Sequence, residues 1–236
     1  MKPRESKPID WERYFKQLRQ SSRHEHLQTY YSQGMVSGDT PMDTVPLVAL
    51  DFETTGLNSK QDDIVSIGLV PFSIQRIRCS QTKHWIVKPN CPLEEKSVVI
   101  HQITHSDIVN APDLTQVLRE LLHALAGKVV VVHYRHIERD FLTSALMQRI
   151  GEGIHFPVID TMALEQHLLR GNRSLVAKLL NQALPSVRLP DCRQRYGLPT
   201  YQLHHATIDA IATAELLQAQ LAHHFSPDVP VSQLWC

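Results

Sequence analysis

An excess of charge of either sign is what this sequence most plainly lacks: 24 Lys and Arg stand against 24 Asp and Glu over 236 residues. No global positive field draws the chain toward nucleic acid or an anionic surface, so any polyanion must be held locally. Long apolar runs are missing too. Stretches such as Val129–Val132 fall far short of the ~20 residues that a membrane-spanning helix needs. Residues 1–7 hold no apolar stretch of the kind a signal peptide carries, and the expectation is a soluble, cytoplasmic chain with no membrane contact. Cys79, Cys91, Cys192 and Cys236 form no Cys-x-x-Cys pair, which argues against a zinc knuckle or a disulfide framework. The 14 histidines include no His-Glu-x-x-His, the spacing that presents two imidazoles to zinc from one helix. Internal repeats and low-complexity tracts are absent as well.

What is present is ordinary globular composition, 42% hydrophobic and 20% charged, with length enough to bury one substantial core. Residues 1–44 read as a helical extension. There Trp11, Tyr14, Phe15 and Leu18 recur at the i, i+3, i+4, i+7 period of an amphipathic helix, with Arg13, Lys16, Arg19 and Arg23 on its other faces. Packing of this stripe back onto the main domain is favoured over partner contact, because exposed aromatic patches are rare. The main domain spans 45–224, and 225–236 form a short C-terminal tail. Residues 46–53, 64–70 and an alternating stretch over 77–87 read as three strands of an antiparallel meander. Leu114, Val117, Leu118, Leu121, Leu122 and Leu125 keep a helical period up to Gly127, a helix stop. Residues 128–133 and 157–160 then read as strands, and 137–150, 161–169, 174–184 and 205–223 as helices. Strands in a meander, followed by strands alternating with helices, imply an α/β fold with a mixed sheet flanked by helices.

Residues two apart on a strand share a face, so Leu47, Ala49, Asp51 and Glu53 form one row ending in two carboxylates beside an apolar core. Two acids there need a counter-charge, and a hard divalent cation such as Mg²⁺ or Mn²⁺ is the usual one. Alone, Asp-x-Glu is as well explained by a half-exposed strand end. Near the other end of the chain, His204-His-Ala-Thr-Ile-Asp209 opens the last helix. Five residues at ~100° each set its first and last members far apart around a helix. Both serve one site only if His204 lies in the loop before it, and by itself this histidine is equally a cap or a core residue.

Between these segments lies Val132-His-Tyr-Arg-His-Ile-Glu-Arg-Asp-Phe-Leu142, a strand end feeding a helix that begins with acids. The three segments, in this order, resemble the DnaQ-like family of 3′-5′ exonucleases, to which the proofreading subunits of bacterial replicative polymerases belong. Within it they resemble the DEDDh subclass, named for four acids and a histidine base. Asp51-Phe-Glu-Thr-Thr-Gly-Leu57 resembles the first family motif, and the His204 to Asp209 spacing the third. The likeness extends to Ser97-Val-Val-Ile-His-Gln-Ile-Thr104, Ala111-Pro112 and Asp160-Thr161, covering roughly residues 46–222. The second motif departs from the family, since the frame from His133 to Phe141-Leu142 sets Glu138 where the family has Asp. Glu138 has the same ligand chemistry on a longer side chain. Asp140, two positions on, would face ~200° away, so Glu138 is expected over Asp140. Tyr134 stands where the family has a smaller amide.

The resemblance implies a ribonuclease H-like fold and a metal-dependent 3′-5′ exonuclease releasing 5′-mononucleotides from single-stranded nucleic acid 3′ ends, DNA in preference. Asp51, Glu53 and Asp209 would hold one Mg²⁺ or Mn²⁺, and Asp51 with Glu138 a second. His204 would take the proton from the attacking water, a role that suits an imidazole near neutral pH. For the substrate, the likeness implies backbone contacts from Thr54, Thr55 and Gly56, flanking of the terminal nucleotide by Leu57 and Ile103, and a contribution from His133. Arg135, Arg139 and Lys60 could reach phosphates. Balanced charge predicts a short footprint and a shallow salt dependence. An exoribonuclease or oligoribonuclease of the same family, or a non-catalytic nucleic-acid-binding module on this fold, are the alternatives. With little chain beyond His224, the expectation is a stand-alone enzyme, or one meeting a polymerase or other protein through its N-terminal helix.

Overall fold

The computed structural model describes residues 9–93, 95–171, 183–202 and 204–236. β1 (Leu47–Thr54) and β2 (Ile64–Ser73) form a long antiparallel hairpin in which Asp51 lies opposite Gly68 and Glu53 opposite Ser66. Two short strands, β3 (Arg76–Ile77) and β4 (Lys83–Ile86), also pair antiparallel with β2. On the other side, β5 (Val129–Val132) runs parallel to β1, and β6 (Val158–Asp160) parallel to β5. The result is the mixed sheet the sequence implied, in the order β3-β2-β1-β5-β6. All four residues of β5 are fully buried, which is why that strand reads as a continuous apolar run. The third strand expected over 77–87 is instead split in two. A 3₁₀ turn at Cys79–Gln81 interrupts it, and the Arg78 N–H goes back to the Pro71 carbonyl at 3.0 Å.

Helices flank this sheet: α1 (Trp11–Ser21), α2 (Glu25–Ser32), α3 (Glu95–His101), α4 (His105–Val109), α5 (Leu114–Leu125), α6 (Glu138–Ile150), α7 (Thr161–Gly171), α8 (Leu189–Arg195) and α9 (Ala206–His224). The four without an expectation behind them, α2, α3, α4 and α8, are short, and short helices carry little periodic signal. The helix expected over 174–184 falls outside the described residues but for its last two positions. Local chemistry sets the ends of the others. The Asp10 carboxylate accepts the Arg13 N–H at 3.0 Å at the start of α1, Asp113 and Gln116 form a capping box on α5, and Gly151 closes α6 in the left-handed region at φ 70°, where glycine carries no steric penalty.

The N-terminal helices are part of the core. Trp11, Phe15, Leu27, Tyr30 and Tyr31 are buried in the same apolar cluster as the sheet, and the Glu152 carboxylate accepts the N–H groups of Arg23 and His24. The apolar stripe of α1 is therefore used inside the molecule, leaving only its polar faces for a partner. The tail is also ordered: Val158 and Cys236 exchange N–H to carbonyl bonds at 3.2 and 2.9 Å, covering the edge of β6. Among the described residues, no helix is long and apolar enough to cross a membrane.

Candidate metal and catalytic site

The site forms where the hairpin meets the start of α9. Gly68 makes that meeting close. A Cβ at this position would stand 2.1 Å from the Ala206 carbonyl carbon and 2.3 Å from the Thr207 nitrogen, so the helix backbone lies directly on the strand. A glycine within a strand commonly marks such an approach. Because Gly68 is opposite Asp51 in the ladder, the contact sets the first turn of α9 over the Asp51 and Glu53 row. The pairing of β1 with β2 shifts register between Glu53 and Thr54, an irregularity that re-aims side chains at a strand end.

Asp51, Glu53 and Asp209 consequently bring carboxylate oxygens within 4.8 Å of one another. Their electrostatics are unfavourable. Burial, then the charges of Glu138, Asp209 and Glu53, push the Asp51 carboxyl well above the usual range. Burial, with Asp209 beside it, lifts Glu53 to about 8. Glu138, 2% exposed at the start of α6, is raised chiefly by burial, with Asp160 adding repulsion and its own backbone N–H opposing. Asp209 is raised by burial against the favourable N–H of His204. Two buried carboxylate oxygens, Glu138 Oε2 and Asp209 Oδ1, have no hydrogen-bond donor among the described residues. Clustered, desolvated oxygen donors with orphaned lone pairs fit a hard divalent cation, which removes both the repulsion and the missing bonds.

His204 lies before α9, as one shared site requires. Its backbone is left-handed, at φ 67°, and its N–H donates to Asp209 Oδ2 at 2.8 Å, so the loop holds the Asp209 carboxylate while the imidazole lines the cleft. That cleft, about 420 Å³, is lined by Glu53, His84, His101, Ile103, His204 and His205 among others. Asp140 points elsewhere: its side chain is half exposed and pairs with His136 Nδ1 at 3.1 Å. Glu138 is therefore the acid of this segment that stands near Asp51.

The expected substrate contacts fall into two groups. Leu57 is 87% exposed, and Ile103 faces the cleft. Thr54, Thr55 and Gly56 make a tight turn: Thr54 Oγ1 donates to the Gly56 carbonyl at 2.6 Å, buried Thr55 Oγ1 accepts the Asp63 N–H at 3.0 Å, and a Cβ on Gly56 would strike the Asp62 carboxylate at 2.4 Å. His133 stands apart, with Nε2 at 3.0 Å from the Val187 carbonyl and Nδ1 at 2.8 Å from Thr161 Oγ1. Burial lowers its pKa to about 4, so the ring is neutral and Nε2–H donates to the Val187 carbonyl, while the single hydroxyl proton of Thr161 has both Nδ1 and the Val132 carbonyl, at 3.0 Å, as acceptors. Both nitrogens are engaged in fastening β5 to α7 and the loop before α8. The sequence assigns no role to Gly68, marked only as a glycine within an apolar strand run, or to the cleft histidines His84, His101 and His205, of which the last two lie within the segments quoted for the likeness.

Comparison with known proteins bears on this geometry. A family model described as an exonuclease, RNase_T, matches residues 48–217. The PolC-type DNA polymerase III of Thermotoga maritima is 32% identical over 181 residues, 77% of this chain but 12% of that protein. The DNA polymerase III epsilon subunit of Treponema pallidum is 28% identical over 180 residues, 76% of this chain and 78% of its own length. The chain thus spans about an eighth of the PolC-type relative. Among solved structures, Exonuclease X in complex with 5′ overhanging duplex DNA superposes with a TM-score of 0.60 at 21% identity, covering 80% of this chain and 98% of that one. The nuclease domain of 3′hExo, described as a DEDDh family member bound to rAMP, gives 0.62 at 15% identity, covering 79% and 95%. These likenesses establish the ribonuclease H-like fold.

Proposed function

The chain belongs to the RNase_T exonuclease family, and we propose that it hydrolyses phosphodiester bonds from the 3′ end of single-stranded nucleic acid, DNA in preference to RNA, releasing 5′-mononucleotides. The observation that carries this reading is the Asp51, Glu53 and Asp209 carboxylate cluster, with oxygens within 4.8 Å of one another and buried Glu138 beside it. Asp51, Glu53 and Asp209 would hold one cation and Asp51 with Glu138 a second, Mg²⁺ or Mn²⁺ in each case. Bound there, such ions supply Lewis acidity to the attacking water and the leaving oxygen. His204 accepts the proton of that water on its imidazole; its left-handed backbone and its N–H bond to Asp209 keep the ring at the mouth of the site. The turn at Thr54, Thr55 and Gly56 meets the 3′ end, while Leu57 and Ile103 flank the terminal nucleotide. A polymerase partner, if the chain has one, meets surfaces other than the buried stripe of α1.

The test is release of mononucleotides from 3′-labelled single-stranded DNA and RNA oligomers with Mg²⁺ or Mn²⁺. Wild type is expected to digest from the labelled end, His204→Ala to lose roughly 10²- to 10⁴-fold in rate, Glu138→Gln to be severely impaired and Asp140→Asn to behave as wild type. Inactivity of the wild type on both polymers with either metal would overturn the proposal in favour of a non-catalytic binding module.

A further inference from the structure

Asp160 closes β6, is 5% exposed, and receives five hydrogen-bond donors. Its Oδ1 accepts the N–H groups of Met162 at 3.0 Å, Ala163 at 3.1 Å and Tyr134 at 3.2 Å. Its Oδ2 accepts the Arg135 N–H at 3.1 Å and Arg135 Nη1 at 3.3 Å. The Met162 and Ala163 bonds cap the first turn of α7, which any short acceptor side chain can do. The other three fasten a different segment, the turn that carries β5 into α6. Tyr134 in that turn holds φ at 90°, a conformation that a bulky residue adopts only when its surroundings impose it. His133, just before it, is already fixed through Thr161 and Val187.

The turn leads straight into Glu138. The Ile137 N–H bonds the Tyr134 carbonyl at 3.1 Å and the Arg139 N–H the Arg135 carbonyl at 3.0 Å, so the residues that Asp160 grips set the first helical turn in which Glu138 stands. We propose that Asp160 is the positioning residue for Glu138: by gathering the Tyr134 and Arg135 amides it fixes the 133–137 turn and hence the direction from which the Glu138 carboxylate enters the acid cluster. The proposal rests on the reading of Glu138 as a metal-binding acid. The bonds of Asp160 go to Tyr134, Arg135, Met162 and Ala163, so the part assigned to it is to position. Partners that orient a ligand from behind commonly change affinity or rate by about 10- to 100-fold when removed.

The test uses Asp160→Asn, which keeps the three Oδ1 bonds and the α7 cap but turns an NH₂ group toward the two Arg135 donors. Calorimetric Mn²⁺ titration of the substrate-free protein is read beside kcat and KM. Expected are about 10-fold weaker binding of the weaker Mn²⁺, a kcat lower by about 10-fold or more, and a KM for the oligomer within about twofold of wild type. In a Glu138→Gln background Asp160→Asn is expected to cause no further loss, the signature of two residues acting through one another. Should Asp160→Asn melt below the assay temperature, Asp160→Ser, which retains a helix cap without reaching the turn, carries the same expectations. Wild-type Mn²⁺ binding and kcat in Asp160→Asn, or equal losses in both backgrounds, would overturn the proposal while leaving Glu138 its role. Wild-type behaviour of Glu138→Gln alone would overturn that role, and the proposal with it.

Discussion

Gly68→Ala puts the assembly of the acid cluster to its most direct trial. The added methyl carbon would lie 2.1 Å from the Ala206 carbonyl carbon, where ordinary contact begins near 3.4 Å, so the start of α9 must lift by about 1.3 Å or β2 must give way by as much. Neither neighbour is a flexible side-chain tip; both are backbone. Forcing one extra carbon into a packed interior costs about 1–3 kcal/mol, which for a domain of this size lowers Tm by roughly 2–12 °C. The functional cost is larger. Asp209 sits in the first turn of that helix and its Oδ2 holds the His204 N–H at 2.8 Å, so both move away from Asp51 and Glu53 together. A displacement near 1 Å at a reacting centre costs on the order of 10²-fold in rate. The assay is mononucleotide release well below Tm, with Mn²⁺-induced thermal stabilisation read in parallel, and Gly171→Ala, where nothing among the described residues lies within 4 Å of the added carbon, as control. A Gly68→Ala protein that melts lower but keeps wild-type kcat and Mn²⁺ stabilisation would refute the claim that this contact sets the site.

The raised acids predict how metal and pH act together. Folding lifts Glu53 from 4.5 to about 8, so its contribution to stability is fully present below pH 4.5 and is lost as pH rises through 8. The metal-free protein is expected to melt progressively lower between pH 5 and pH 8.5 in chelator, and a flat profile would contradict the repulsion argument. Mn²⁺ must displace that proton, so calorimetry is expected to show binding tightening over the same interval. Asp51→Asn removes one of the mutually repelling charges; in chelator its Tm should equal or exceed wild type, while Mn²⁺ should no longer raise it. Phe15→Ala is expected to cost roughly 3–5 kcal/mol by denaturant unfolding, because that ring is fully buried against Tyr30 and Tyr31; a loss under 1 kcal/mol would mean that α1 is only loosely attached.

The spacing of Asp51 and Glu53, the helical period of 114–125 and the apolar run of β5 were readable because each is a local repeat that the backbone geometry of a strand or helix converts directly into a face. The need for His204 to precede its helix followed the same way, from the angle that five residues subtend. That Glu138 and Asp140 face different ways was legible from helical phase, and the two differ in burial accordingly. Other features had no local signature. The α1 stripe is apolar whether it meets the core or a partner, and only the packing of Phe15 against Tyr30 and Tyr31 of α2 and of Trp11 beside Arg139 of α6 decided between them. The strand expected over 77–87 broke where the backbone turns on itself at Cys79–Gln81, the Gln81 N–H bonding the Arg78 carbonyl at 2.8 Å. His133 reads as a site residue from its motif, yet its two ring nitrogens are engaged by Thr161 and Val187, 28 and 54 positions away. The sequence by itself determined which acids exist and which face each occupies on its own element. The convergence of Asp51, Glu53 and Asp209 was decided by tertiary structure, because the start of α9 rests on Gly68, a contact between segments that nothing in the local chain order couples.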